Sequence, residues 1–196
     1  IKENLIEIHS KSFRGTLQGG HICTGPVEID GIKSGEVLQI DILSIELDSI
    51  WAYTGVSPLK GALPNDFHKK QMTYLEIDKD KSIAKTPWGM EIDLDPFFGL
   101  ICTAPPANWG KVPTIPPRQN GGNMDNKELK VGTTLYLPVF VDGGMFSVGD
   151  GHGTQGDGEI CTAAVEMDMK GEFKLTRRKD MNILWPFAEN DNYLIT

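Results

Sequence analysis

Apolar residues along this chain alternate with polar ones in short runs, the pattern of half-buried strands rather than of helices. The clearest run is Glu36 to Leu47, where Leu38, Ile40 and Ile42 share one face and the apolar phase then switches to Leu43, Ile45 and Leu47. A phase switch of that kind predicts a bulge or sharp twist that lets one strand serve two cores. Thr133 to Val141 alternates with Leu135, Leu137, Val139 and Val141 on one face, while Pro138 on the other places this strand at an edge or a bulge. Ile160 to Met169 also reads as a strand, with Cys161, Ala163, Val165, Met167 and Met169 inward and Thr162, Ala164, Glu166 and Asp168 outward. That parity sets Glu159 at the mouth of the core and turns Glu166 away from it. Shorter strands are expected over Glu3–Ile8, Met72–Ile77, Met90–Leu94 and Phe173–Leu175, and a hairpin over Val27–Gly35. Pro96 to Pro106 is a buried-looking apolar segment.

Gly and Pro punctuate the rest. Gly15–Gly25, Trp51–Lys70 and Asn108–Asn126 are read as loops, the last too broken for regular structure. No long amphipathic helix and no fixed-period repeat interrupts the pattern. The fold class expected is mainly β, sandwich- or barrel-like, with long Gly/Pro-rich loops and little helix, as one domain over residues 1–196.

Composition narrows the partners. A net charge of −8 without a long basic run argues against nucleic acid, whose phosphates need a basic surface. No apolar run is long enough to span a bilayer. The three cysteines, Cys23, Cys102 and Cys161, form neither a disulfide framework nor a zinc ribbon. The chain opens at Ile1 without an initiating Met, so the native N-terminus is expected to lie outside this sequence, and a cytoplasmic location is only the default.

The chemistry concentrates between Gly143 and Glu166. Two Asp, one Glu, one His and one Gln fall between Asp150 and Glu159, separated almost entirely by Gly. Glycine permits close backbone approach and positive φ, so such a run can turn many polar groups towards one point, and it reads as an active-site loop. Elsewhere the local signals are even: His21 suits a turn histidine as well as a ligand. Asn123 and Asp125 suit an Asx turn as well as a binding loop.

Three passages decide more. They are His21-Ile-Cys-Thr-Gly-Pro-Val-Glu-Ile-Asp-Gly with Gly35-Glu-Val-Leu-Gln-Ile-Asp-Ile; Pro96-Phe-Phe-Gly-Leu-Ile-Cys-Thr-Ala-Pro followed by Gly121-Gly-Asn-Met-Asp; and Gly149-Asp-Gly-His-Gly-Thr-Gln-Gly-Asp-Gly-Glu-Ile-Cys-Thr-Ala-Ala-Val-Glu. In content and order they resemble the acetamidase/formamidase family across most of residues 20 to 170. The resemblance implies a β-rich hydrolase of small linear amides with a divalent metal, commonly zinc and sometimes calcium, assembled as a homodimer or larger homo-oligomer. It also implies that parts of the family's N-terminal and C-terminal regions are not in this sequence.

Within that expectation His21, Asp125 and His152 provide three ligands of the types a catalytic zinc takes, and Asp150 either adds a fourth or orients His152. Glu159 is expected as the general base, with Gln155 and the amides of Gly153–Gly158 donating to the oxyanion. Asp157 (as a calcium ligand or turn former) and Glu166 are further candidates. Two other readings stay open. Cys161 could act as a thiol nucleophile with His152 as its base, against which its apolar phase argues. A non-catalytic calcium- and carbohydrate-binding β-sandwich would use Asn123, Asp125, Asp150 and Asp157, although two imidazoles favour zinc-like metals over calcium. A relative that kept the fold but lost activity is a third.

Overall fold

The computed structural model describes residues 21–196, so the strand expected over Glu3–Ile8 and the first part of the loop from Gly15 lie outside the described residues. Antiparallel strands make up almost all regular structure there. In chain order they begin with β1 (Cys23–Val27), β2 (Val37–Leu47), β3 (Trp51–Val56), β4 (Gln71–Asp78) and β5 (Ile83–Lys85). They continue with β6 (Glu91–Asp93), β7 (Phe97–Cys102), β8 (Gly121–Asn123) and β9 (Thr134–Pro138). The last are β10 (Phe146–His152), β11 (Met169–Arg178), β12 (Phe187–Glu189) and β13 (Leu194–Ile195). One 3-10 turn, Ala107–Trp109, is the sole helical element described. No helix among the described residues is long and apolar enough to cross a membrane.

Three sheets result, ordered β1-β10-β7-β8, β11-β2-β9-β12-β13 and β3-β4-β5-β6. The main core fills the space between the first two: Leu38, Ile40, Ile42, Leu135 and Leu137 from one meet Phe98, Ile101, Phe146 and Val148 from the other. This is sandwich packing, and full burial of each such Leu or Ile stabilises by about 1.5–3 kcal/mol. A second core joins Ala52, Leu75, Ile77 and Ala84 of the third sheet to Val165 and Met167.

The phase switch in β2 is a bulge. Ile42 pairs with Phe173 and Ser44 with Glu172, which leaves Leu43 without a cross-strand partner and 48% exposed. As the pattern requires, Ile42 packs into the first core and Leu47 against the second.

Other expectations change. Val27–Gly35 is not a hairpin, because β1 pairs with β10 and not with β2. Trp51–Val56 is a strand rather than loop, paired throughout with β4, whereas residues 57–70 are irregular. Its Trp, Tyr and Thr are strand formers that the nearby Gly and Pro obscure. Within the long 108–126 segment, Gly121–Asn123 forms β8. Pro138 is the final residue of β9, an interior strand, but β12 reaches only Tyr136, so no strand pairs with the side where Pro lacks a donor.

One tie across the second sheet is a bidentate ion pair, Arg177 Nε and Nη2 to Glu36 at 2.5 and 2.6 Å. Hydrogen bonding from Arg177, opposed by desolvation and aided by the Lys33 amide, holds the Glu36 carboxyl below its ordinary 4.5. A group whose folded pKa is depressed stabilises above its unfolded pKa and loses that contribution as pH falls through the folded one. Glu36→Gln is therefore expected to lower Tm modestly at neutral pH, with the difference from wild type shrinking below about pH 4.5. A pH-independent difference in thermal denaturation would contradict this assignment.

Candidate active site

The stretch read as a loop is, in its first half, strand β10, and it carries Asp150 and His152 on a sheet. Alternation is hidden there because Asp150 and His152 continue the phase of Phe146 and Val148 in place of apolar side chains, with Gly between them. The β10–β7 ladder runs Gly149↔Leu100, Gly151↔Phe98 and His152↔Phe97, and passes over Asp150 and Gly99. Asp150 has φ of 58°, a left-handed conformation uncommon outside Gly. Asp125 is also left-handed, with φ of 45°. Both aspartates therefore turn towards the same point, at local backbone strain of the kind that gathers at functional sites.

Gly99 makes that convergence possible. A β-carbon there would lie 2.8 Å from Asp125 Oδ1, 2.8 Å from Asp150 Oδ2 and 2.9 Å from His152 Cε1. The two carboxylates and the imidazole pack where a side chain would be.

His152 is the centre. It is 0% exposed, and Phe97 packs edge-on against its ring at a centroid distance of 4.9 Å. Its Nδ1 lies 3.0 Å from Gln155 Oε1, and Gln155 Nε2 donates to the Asp125 carbonyl at 2.7 Å. Because a carbonyl can only accept, the Gln155 amide orientation is fixed and Nδ1 is the imidazole's donor. Nε2 then faces Asp150 Oδ2 at 3.3 Å, Glu166 Oε2 at 3.5 Å and Glu159 Oε1 at 3.8 Å. A second imidazole, His21, approaches with Nε2 3.7 Å from Asp150 Oδ2. Thr114 Oγ1 holds His21, 2.9 Å from its amide and 3.0 Å from its Nδ1.

The charges are out of balance. Burial, with Asp125 and Asp150 adding repulsion, raises the Glu159 carboxyl; burial also raises Asp125. Burial lifts Glu166 to about 7, with His152 opposing and Asp150 reinforcing. For His152 burial acts to lower the pKa, but the neighbouring carboxylates of Asp150, Glu166 and Glu159 outweigh it and lift it to about 9. Every shift asks for positive charge beside Nε2, which a proton or a bound cation supplies.

Among the described residues, three buried atoms in this cluster find no hydrogen-bond partner: His152 Nε2, Asp125 Oδ1 and Asn123 Oδ1. Asn123 Nδ2 donates to the other Asp125 oxygen at 2.9 Å. With Nδ1 as the imidazole donor, all three orphans are electron-pair donors aimed into one space, and buried groups seldom go unpaired. Two ligand sets share His152: Asp125 with Glu159, and Asp150 with Glu166. A tetrahedral metal with bonds of about 2.0–2.1 Å holds its ligand atoms about 3.3 Å apart. The Asp150–His152 and Asp150–His21 separations of 3.3 and 3.7 Å fit such an ion after small adjustments.

Of the residues picked from sequence, His21, Asp125, Asp150, His152, Glu159 and Glu166 converge, and Gln155 braces them. Gln155 is not free to serve an oxyanion, since its NH2 end is held by the Asp125 carbonyl. Asp157 stands apart: its side chain is 99% exposed and pairs with Lys127 at 2.7 Å. Cys161 is half-buried and donates to the Ala163 carbonyl at 3.5 Å, while both His152 nitrogens face other groups.

The strand expected over residues 160–169 is broken, although Val165 and Met167 face the core and Glu166 the other side as alternation requires. A turn in which the Thr162 amide donates to Glu159 at 3.1 Å, with Thr162 at φ 65°, breaks the strand. Glu166 bridges to both Tyr53 and His152, and the stretch around it forms a strap between β10 and β3: Gly153 and Tyr53 donate to the carbonyls of Val165 and Glu166 at 2.7 and 2.9 Å. Val165 and Met167 enter the second core, so the opposite face, carrying Glu166, looks into the site and not into solvent. Sequence reasoning missed Gly99 and Thr114. A lone Gly inside the apolar Phe97–Cys102 strand was the available signal, since it marks close approach.

Comparison with known proteins now adds decisive context. A model of the "Acetamidase/Formamidase family" matches residues 10–111 and 107–183. The chain belongs to the acetamidase/formamidase family. It is 30% identical to an acetamidase of Mycolicibacterium smegmatis, over 75% of this chain and 51% of that protein. It is 29% identical to a formamidase of Methylophilus methylotrophus, over 82% of this chain and 52% of that protein. The chain thus spans about half the length of the curated relatives it matches. Among solved structures, an acetamidase from Bacillus halodurans superposes with a TM-score of 0.81 at 32% identity, covering 88% of this chain and 57% of that one. A gamma lactamase from Delftia acidovorans does so with a TM-score of 0.77 at 26% identity, covering 89% and 56%.

Proposed function

We propose that this chain carries a metal-assisted active site that hydrolyses the C–N bond of small amides of the formamide and acetamide type to carboxylate and ammonia. The observation that carries this reading is the trio of buried, partnerless electron-pair donors around His152 Nε2, in a family whose named members include acetamidases and formamidases. His152, Asp150, Asp125 and His21 would hold the metal. Two imidazoles and two carboxylates suit zinc better than calcium. When bound, such an ion lowers the pKa of water towards neutrality and polarises a carbonyl.

The protein's own groups supply the proton transfers. Glu166 is the carboxylate we assign as general base, in preference to Glu159. The Ala164 amide fixes its Oε1 at 2.9 Å, its backbone is paired with Tyr53, and its Oε2 is left towards the site. A carboxyl near 7 accepts a proton from attacking water and can return it to the leaving amine. Gln155 keeps the imidazole in one tautomer, which fixes the direction of its lone pair. Phe97 and the strap exclude bulk water from that side.

Ammonia release from formamide and acetamide by the purified protein tests the reading. Exhaustive chelation is expected to abolish it, and zinc to restore it. Hydrolysis that persists after complete metal removal would overturn the proposal.

A further inference from the structure

We infer that the cavity beside this cluster is an acyl pocket, and that it takes amides whose carbonyl bears an apolar substituent longer than methyl. The inference rests on the amidase reading above. The cavity measures about 410 Å³, and its walls include Pro26, Leu100, Cys102, Val112, Pro116 and Met145. That volume suits a drug-sized ligand, far beyond what formamide fills.

Continuity with the cluster is carried by four separate segments. On β7, Leu100 lines the cavity, and its neighbour Gly99 is the residue against which Asp125, Asp150 and His152 pack. On β10, Ser147 lines the cavity and Asp150 and His152 follow within the same strand. On β8, Gly121 and Gly122 line the cavity, and the next residue is Asn123, whose buried Oδ1 has no partner. Above them Thr114 lines the cavity and also grips the ring of His21, whose Nε2 reaches Asp150. A carbonyl held at the cluster would direct its substituent towards Leu100 and Gly122.

The walls match that occupant. Arg118, the guanidinium among the lining residues, donates to the carbonyls of Pro116 at 2.8 Å and Pro113 at 3.3 Å, which ties down the proline-rich rim. The Cys102 thiol is pushed up to about 12 by burial and stays neutral. Trp51, Trp88 and Trp109 are not among the lining residues.

The test is calorimetric binding of straight-chain hydroxamic acids, from acetohydroxamate to octanohydroxamate, to the zinc-loaded full protein. Affinity is expected to rise about threefold to fourfold per methylene until the cavity is full, the factor for burying a CH2. Val112→Trp, in the cavity wall and outside the cluster, is expected to remove that increment. KM for hexanamide should rise in parallel. Affinity that stays flat along the wild-type series, with acetohydroxamate binding intact, would overturn the pocket while sparing the amidase reading. Failure of acetohydroxamate itself to bind would overturn both.

Discussion

Gly99→Ala is expected to abolish metal binding and amide hydrolysis while leaving the sheets folded. The added methyl would fall within 3 Å of Asp125 Oδ1, Asp150 Oδ2 and His152 Cε1, a separation that forces at least two of these groups apart. None of the three can retreat cheaply. Asp125 is tied to Asn123 and Gln155, Asp150 sits on a left-handed backbone within the ladder, and His152 is enclosed by Phe97 and Gln155. Overpacking of this kind costs about 1–3 kcal/mol in stability. The larger effect falls on ligand geometry, where outer-shell changes alone cost about 10–100-fold in metal affinity or activity. Zinc titration and thermal denaturation of the purified variant measure the two separately. Wild-type affinity in a folded Gly99→Ala protein would show that the carboxylates do not converge there.

Glu166→Gln is expected to lower kcat by about 10²–10⁴-fold, the range for loss of a positioned general base, with zinc content and KM close to wild type. Gln preserves shape and can still accept the Ala164 amide hydrogen bond, so the strap stays in place. What it removes is the capacity to take a proton beside Nε2 of His152. Steady-state kinetics with metal analysis on the same sample separates the roles. Loss of zinc in Glu166→Gln would make this residue a ligand instead, and unchanged kcat would return the role of base to Glu159.

The sandwich was legible because its core strands alternate openly. Leu38, Ile40, Ile42, Leu135 and Leu137 announce their faces, and even the Leu43 bulge is written as a phase change. The site was legible as a set of residues but not as an arrangement. Asp150 and His152 were recognisable in kind, yet β10 was hidden because these two continue the phase of Phe146 and Val148 in place of apolar side chains, with Gly149 and Gly151 between them. Glu166 does lie opposite Val165 and Met167, as alternation requires, but that face lines the site instead of meeting solvent, and the Glu159–Thr162 turn breaks only the phase that linked Glu159 to it. The face opposite Val165 and Met167 is polar because it lines the site. Gly99 and Thr114 act through neighbours remote in sequence, and only the register of β7 against β10 and the reach of the 108–120 segment place them.

The measurement that bears most directly on the central claim is metal content, by elemental analysis, of the wild-type protein and of His152→Ala prepared identically. The proposal places one cation per chain around His152 Nε2, so near-stoichiometric zinc is expected in wild type and almost none in the variant. Equal zinc in both proteins, or none in either after growth with zinc, would contradict the account of this cluster as a metal centre.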